Sequence, residues 1–199
     1  MSNNKVEIIG KIISELQFNH CYNNKKYYNF YIGTKRKSGF EDKLLVIICQ
    51  DLLLNLSIKN DCYVKIIGEF RSKNESNEEK NKLLLFIFCK KIKIFSEKIE
   101  EQNKICLNGY VCKNIIVRKT PFGRVIADIL LAVNRNFHKS DYIPCIAWGN
   151  NAQLLLNSSI GDNLIIEGRI QSRYYKKESE SKIAYEISVL KIKINNIFT

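Results

Sequence analysis

The chain is written twice, and the duplication restricts its fold more than any other feature. Asn4-Lys5-Val6-Glu7-Ile8-Ile9-Gly10 returns as Asn103-Lys104-Ile105-Cys106-Leu107-Asn108-Gly109, 99 positions later. At the same offset, residues 28–36 lie over 127–135 and 42–49 over 141–148. Beyond these the offset becomes 100, with 64–72 over 164–172 and 82–95 over 182–195. A single-residue shift over the whole length identifies a tandem duplication of one domain. Each copy has about 100 residues, large enough to bury its own core.

Each copy reads as five strands and one short helix. In the second copy the strands are expected near 104–117, 124–135, 142–148, 163–174 and 183–194. The helix is expected over 150–158, started by Asn150 or Asn151 and stopped before Gly161-Asp162, with its counterpart at 50–57. Gly10, Gly68, Gly109 and Gly168 fall inside the first and fourth strands, where a sheet that coils needs bulges or sharp bends. Five coiled strands with a helix between the third and fourth fit the OB-fold barrel. The expectation is therefore a mainly β protein of two tandem five-stranded OB-fold barrels, over 1–95 and 104–199. The charged stretch 96–103 reads as a linker, and the polar stretches 72–82 and 174–182 as loops between strands four and five.

Composition narrows the partners. A net charge of +12 favours a polyanion or an anionic membrane surface. No apolar run approaches the ~20 residues that span a bilayer, and no long basic amphipathic helix is visible. The N-terminus has no apolar run of signal-peptide length, so a soluble cytoplasmic protein without a membrane partner is expected. Seven cysteines, an odd count without C-x-x-C spacing, argue against both a disulfide framework and a zinc site, and read mostly as reduced, small core residues. The two histidines, His20 and His138, both fall in expected loops, and no phosphate-cradling glycine motif appears. No catalytic group, metal site or cofactor is expected, hence no enzyme.

The stretch 142–148 carries the most informative alternation. Ile143, Cys145 and Ala147 form one small, apolar face, while Tyr142, Pro144, Ile146 and Trp148 form the other. The two rings stand ~20 Å apart at strand rise, an outward platform of the kind unpaired bases stack on. Further along, alternation places Arg169, Gln171, Arg173 and Tyr175 on one face.

Asn103 to Gly109, then Arg118-Lys119-Thr120-Pro121-Phe122-Gly123, LLAVNR, DYIPCIAWG, Gly161-Asp162 and EGRIQSRYY together resemble the bacterial single-stranded DNA-binding protein family, in the expected order over 103–195. The resemblance implies sequence-independent binding of single-stranded DNA in replication, recombination or repair. The bases would stack on Phe137, Tyr142, Trp148 and Tyr175. Arg118, Lys119, Arg124, Arg135, Arg169, Arg173, Lys176 and Lys177 would hold phosphate or stack on bases. Each stacked base is worth about 1–3 kcal/mol whatever its identity.

The first copy matches only in skeleton. Ser38 stands where Phe137 does, Lys43 for Tyr142, Cys49 for Trp148 and Glu75 for Tyr175. It reads as mainly architectural, although Tyr27, Tyr28 and Phe40 leave open a different binding path. Charge does not separate the copies: residues 1–100 hold 18 basic and 12 acidic residues and 101–199 hold 14 and 8. Family members commonly close on a flexible acidic tail, and this sequence stops at KIKINNIFT. A specialised form is therefore expected, as a homodimer presenting four OB-folds. Two rival readings stay open: a protein-interaction module of a replication-restart complex, and RNA as the ligand, since stacking alone does not tell the sugars apart.

Overall fold

Alternate residues of Asn4–Ile12 (β1) are buried, and the same period runs through the strands that follow: Gln17–Tyr22 (β2), Lys25–Lys35 (β3), Glu41–Cys49 (β4), Tyr63–Asn77 (β5) and Lys80–Phe95 (β6). The second copy gives Gln102–Val111 (β7), Ile116–Lys119 (β8), Val125–Arg135 (β9), Lys139–Trp148 (β10), the helix Asn150–Gln153 (α1), Asn163–Lys177 (β11) and Glu180–Asn195 (β12). The structure, a computed structural model, describes residues 3–54, 56, 58–77, 80–136, 138–177 and 180–195, without the side chains of 75–77, 80–82, 177, 180 and 181.

In the first copy β1 pairs with β3, β3 with β4, β4 with β6, β6 with β5 and β5 with β1, so the pairings return to their start. In the second, β7, β9, β10, β12 and β11 close in the same way. These are the two expected OB-fold barrels. The helix-flanking strands pair in parallel (β4 with β6, β10 with β12) and all other neighbours antiparallel. Each barrel is filled by aliphatic side chains, including Ile8, Ile32, Val46 and Ile66 in the first and Leu107, Leu131, Ile143 and Ile166 in the second.

Several boundaries differ from the sequence reading. The first strand of each copy breaks in two. In the second copy it kinks between Val111 and Ile116, where the Cys112 N–H still donates to Leu130 O at 3.1 Å. His20 lies on β2 rather than in a loop, and His138 sits in the β9–β10 turn at φ 53°. The stretches expected as loops between strands four and five are ladder arms, paired out to Asn77↔Lys80 and Lys177↔Glu180. Their polarity reflects a ladder without core on either face, which hydrophobic alternation cannot register. The helix is one turn, entered through Gly149 at φ 56° without a side-chain cap from Asn150 or Asn151, and its counterpart is a 3-10 turn at Gln50–Leu52. Residues 55 and 57 of the expected first-copy helix lie outside the described residues. β7 begins inside the expected linker, leaving residues 96–101 to join the copies.

The fourth-strand glycines sit at register shifts, between Ile67 and Gly68 and between Glu167 and Gly168. A Cβ at Gly168 would stand 2.4 Å from Ser188 O, closer than any side chain allows. Those bulges let each strand bend around its barrel. All seven cysteines are free; only Cys89 and Cys145 are buried, and burial pushes the Cys89 thiol up to about 12. Among the described residues no helix is long and apolar enough to cross a membrane.

The two barrels share one sheet through the antiparallel pair β1–β7, in which Val6 faces Ile105, its own counterpart in the repeat. The contact is thus pseudo-twofold, and side chains cross it in matching pairs. Asp42 Oδ1 accepts from the Ser172 N–H at 2.6 Å, and Asp141 Oδ1 accepts from the Ser72 N–H at 2.7 Å. Ser172 Oγ in turn accepts from the Lys43 N–H, as Ser72 Oγ does from the Tyr142 N–H. Tyr185 adds a link without a counterpart here, its hydroxyl accepting from the Leu45 N–H at 3.2 Å.

Candidate nucleic-acid interface

Strand β10 is buried at Ile143, Cys145 and Ala147 and turns Tyr142 and Trp148 outward, 43% and 41% exposed. Ile146, on the outward face by parity, is nevertheless covered. Cross-strand pairing extends the outward face over three strands: Trp148 is opposite Ile126 on β9, and Ile126 is opposite Arg118 on β8. At the other end Tyr142 is opposite Ala132. The small residue leaves one side of the tyrosine ring uncrowded.

Cations border both rings. Trp148 shares a recess with Arg124 and Gly123 of the β8–β9 turn, and Arg118 and Lys119 line the neighbouring one. Arg118 makes two hydrogen bonds to Asp128, at 2.9 and 3.4 Å, with both side chains largely exposed. Such a pair contributes about 0–1 kcal/mol, so the guanidinium can be turned to phosphate at little cost. Tyr142 lines a recess of about 290 Å³ with Lys73, Arg135 and Lys139. Lys73 comes from the first copy.

On β11 the expected alternation holds: Ile170 and Ser172 are buried, and Arg173 and Tyr175 face water. Tyr175 is on the strand itself, paired with Lys182, rather than beyond its end. Lys176 is exposed beside it. Phe137 and the side chain of Lys177 lie outside the described residues.

Two of the expected phosphate ligands are placed otherwise. Arg135 Nε lies 3.2 Å from Asp141 Oδ2 and Arg169 Nη2 lies 3.6 Å from Asp42 Oδ2, with both carboxylates fully buried. Withdrawing either guanidinium would leave a buried charge uncompensated, which costs several kcal/mol. Both arginines therefore serve the contact between the copies first. Burial pushes the Asp141 carboxyl above its usual range, against the pull of the Ser72 amide and Arg135.

The sequence reading passed over Phe122, which stands 92% exposed at the tip of the β8–β9 turn, and Tyr174, 51% exposed beside Tyr175. An aromatic at i−1 to a turn glycine was the available signal for the first: Gly123 holds φ 75° and its N–H donates to Thr120 O. Lys73 had none, because only the fold brings it beside Tyr142.

Residues 102–195 match the model of the single-strand binding protein family. Single-stranded DNA-binding protein 1 of Streptococcus pyogenes is 34% identical over 88 residues, covering 41% of this chain and 68% of that protein. Single-stranded DNA-binding protein 3 of Streptococcus agalactiae is 36% identical over a match covering 41% and 64%, and single-stranded DNA-binding protein A of Bacillus subtilis 31% over 41% and 51%. The chain thus spans about half to two thirds of the length of the curated relatives it matches. In shape, the single-stranded DNA binding protein of Thermus aquaticus superposes with a TM-score of 0.81 at 16% identity, covering 98% of this chain and 94% of that one. The likeness of fold thus extends over both copies, where the likeness of sequence is confined to the second.

Proposed function

The chain belongs to the single-strand binding protein family, and from that membership we propose that its second copy binds single-stranded DNA by stacking bases on Tyr142, Trp148 and Tyr175. Arg118, Lys119, Arg124, Arg173 and Lys176 supply the phosphate contacts; Arg135 and Arg169 are left out because buried aspartates hold them. Phe137 keeps the stacking role its place in the family pattern implies, and Lys177 its place beside Lys176. The observation that carries the reading is the outward face of β8–β10, where flat rings stand in water between mobile cations instead of in the barrel core. An enzyme is not proposed: this is a family of binding proteins.

Stacking is indifferent to base identity, so the affinity is sequence-independent and the protein serves replication, recombination or repair by coating exposed strands. Two chains associating would present four OB-folds, which sedimentation of the free protein tests. Equilibrium binding of oligothymidylate, with a duplex of equal length as competitor, tests the ligand class. Tyr142→Ala and Trp148→Ala should each weaken the oligothymidylate complex by about 1–3 kcal/mol. Preference for the duplex, or unchanged affinity in both variants, would count decisively against the reading.

A further inference from the structure

Between the barrels lies a cleft of about 580 Å³. The first copy lines it with Tyr22, Arg71 and Lys90, and the second with Arg135 and Lys139 from the β9–β10 hairpin. Glu69, bonded to both Arg71 and Lys90, is the one carboxylate among its described lining residues. Four cations against one anion leave the cleft positive. It shares Arg135 and Lys139 with the recess beside Tyr142, so the basic surface runs unbroken from the second copy's platform into the first copy.

Beyond the cleft the first copy continues the same chemistry. Arg71 lies 3.8 Å over the Phe88 ring, Phe88 is 6.2 Å from Tyr27, and Tyr27 stacks on His20 at 4.8 Å with the rings 5° from parallel. The outer side of this column ends on His20, which is exposed on β2. Register explains why residue-by-residue comparison with the second copy misses it. There the row across the platform reads Arg118, Ile126, Trp148; here the equivalent row reads His20, Tyr27, Cys49. The large flat group has moved one strand over, from β4 to β3, and the imidazole stands where the second copy has a guanidinium. Cys49 in place of Trp148 is therefore an exchange within the row, not the loss of a stacking surface.

We propose that one single strand runs over both copies: from Tyr142 its phosphates cross the cleft on Lys139, Lys90 and Arg71, and a base stacks on the open side of the His20–Tyr27 pair. This rests on the binding reading given above for the second copy. Single-stranded DNA fits the surface because it pairs a polyanionic backbone with free flat bases, matching cations in the cleft and rings at its far end. A duplex offers no free base to His20.

The test is the number of nucleotides occluded per chain, from stoichiometric titration of the full-length protein with poly(dT) read on Trp148 fluorescence. The double variant His20→Ala/Lys90→Gln changes two exposed side chains. It should occlude fewer nucleotides than the unaltered protein by about 4–16, one OB-fold's share. A second variant, Lys90→Glu/Lys139→Glu, should lower the same figure and flatten the dependence of log affinity on log salt by about 1–2. Occluded length and salt slope unchanged in both variants would overturn the path across the cleft while leaving binding by the second copy intact. An unaltered protein that does not respond to poly(dT) at all would overturn both.

Discussion

Replacing Asp42 by alanine removes the most heavily used carboxylate at the contact between the copies. Its Oδ1 accepts from the Ser172 N–H at 2.6 Å, from Ser172 Oγ at 3.2 Å and from Arg36 Nη2 at 2.6 Å. Its Oδ2 accepts from Arg36 Nε at 2.9 Å and faces Arg169 Nη2 at 3.6 Å. The carboxylate is fully buried, and the two guanidiniums are each 22% exposed. After truncation the Ser172 amide lacks its acceptor, which costs about 1–3 kcal/mol. The two arginines lose their counter-charge, and breaking a buried pair from one side costs about 3–5 kcal/mol in all once hydrogen bonds are included. Partial exposure lets both guanidiniums recover some hydration, so the lower half of that range applies. Equilibrium unfolding in urea measures it: with a slope of about 2 kcal/mol per molar, the midpoint falls by about 1.5–2 M. Asp42→Asn, which keeps an acceptor for Ser172, should lose less than the alanine variant. A loss below about 1 kcal/mol in Asp42→Ala would refute the claim that this carboxylate holds the copies together.

The matching site gives a prediction of opposite sign in pH. Burial raises the Asp141 carboxyl in the folded chain, so its contribution to stability is full below the ordinary carboxylate value and is lost as pH rises through the raised one. Asp141→Asn keeps an acceptor for Ser72 without the charge, and its stability relative to the unaltered protein should therefore climb between acid and neutral pH; urea midpoints taken across that range that run parallel would contradict the assignment. Tyr185→Phe removes the acceptor of the Leu45 amide and should lower stability by about 1 kcal/mol in the same assay, with no change in affinity for oligothymidylate. Gly168→Ala would force a Cβ against Ser188 O, and thermal unfolding should show a loss of about 1–3 kcal/mol, comparable to overpacking a core.

How much of this is visible in the sequence follows from period and repeat. The barrels are legible because Val6, Ile8, Ile143 and Cys145 alternate with exposed residues, and the repeat doubles every such signal. The outward set of Tyr142 and Trp148 is legible for the same reason. Asp42 and Asp141 are not, although a hint exists: Asp141 shares parity with the buried Ile143 and Cys145, an acid on a core face at repeated positions. What satisfies it comes from the other copy, and only the fold supplies that. The roles of Arg135 and Arg169 follow from those aspartates, so spacing alone made them look like free surface cations. His20 was read as a loop residue because β2 has no buried face, all six of its residues being exposed, and alternation has nothing to mark there. The arms beyond Ser72 and Ser172 were hidden likewise.

Trp148 is the only tryptophan in the chain, so its emission reports one face of one barrel. Titration with oligothymidylate at low ionic strength should quench it to saturation, and added salt should reverse the quenching with a log–log slope of about −3 to −4, as five cations give up phosphate. A folded protein whose tryptophan emission ignores oligothymidylate at low salt would contradict the claim that this face is where unpaired bases lie.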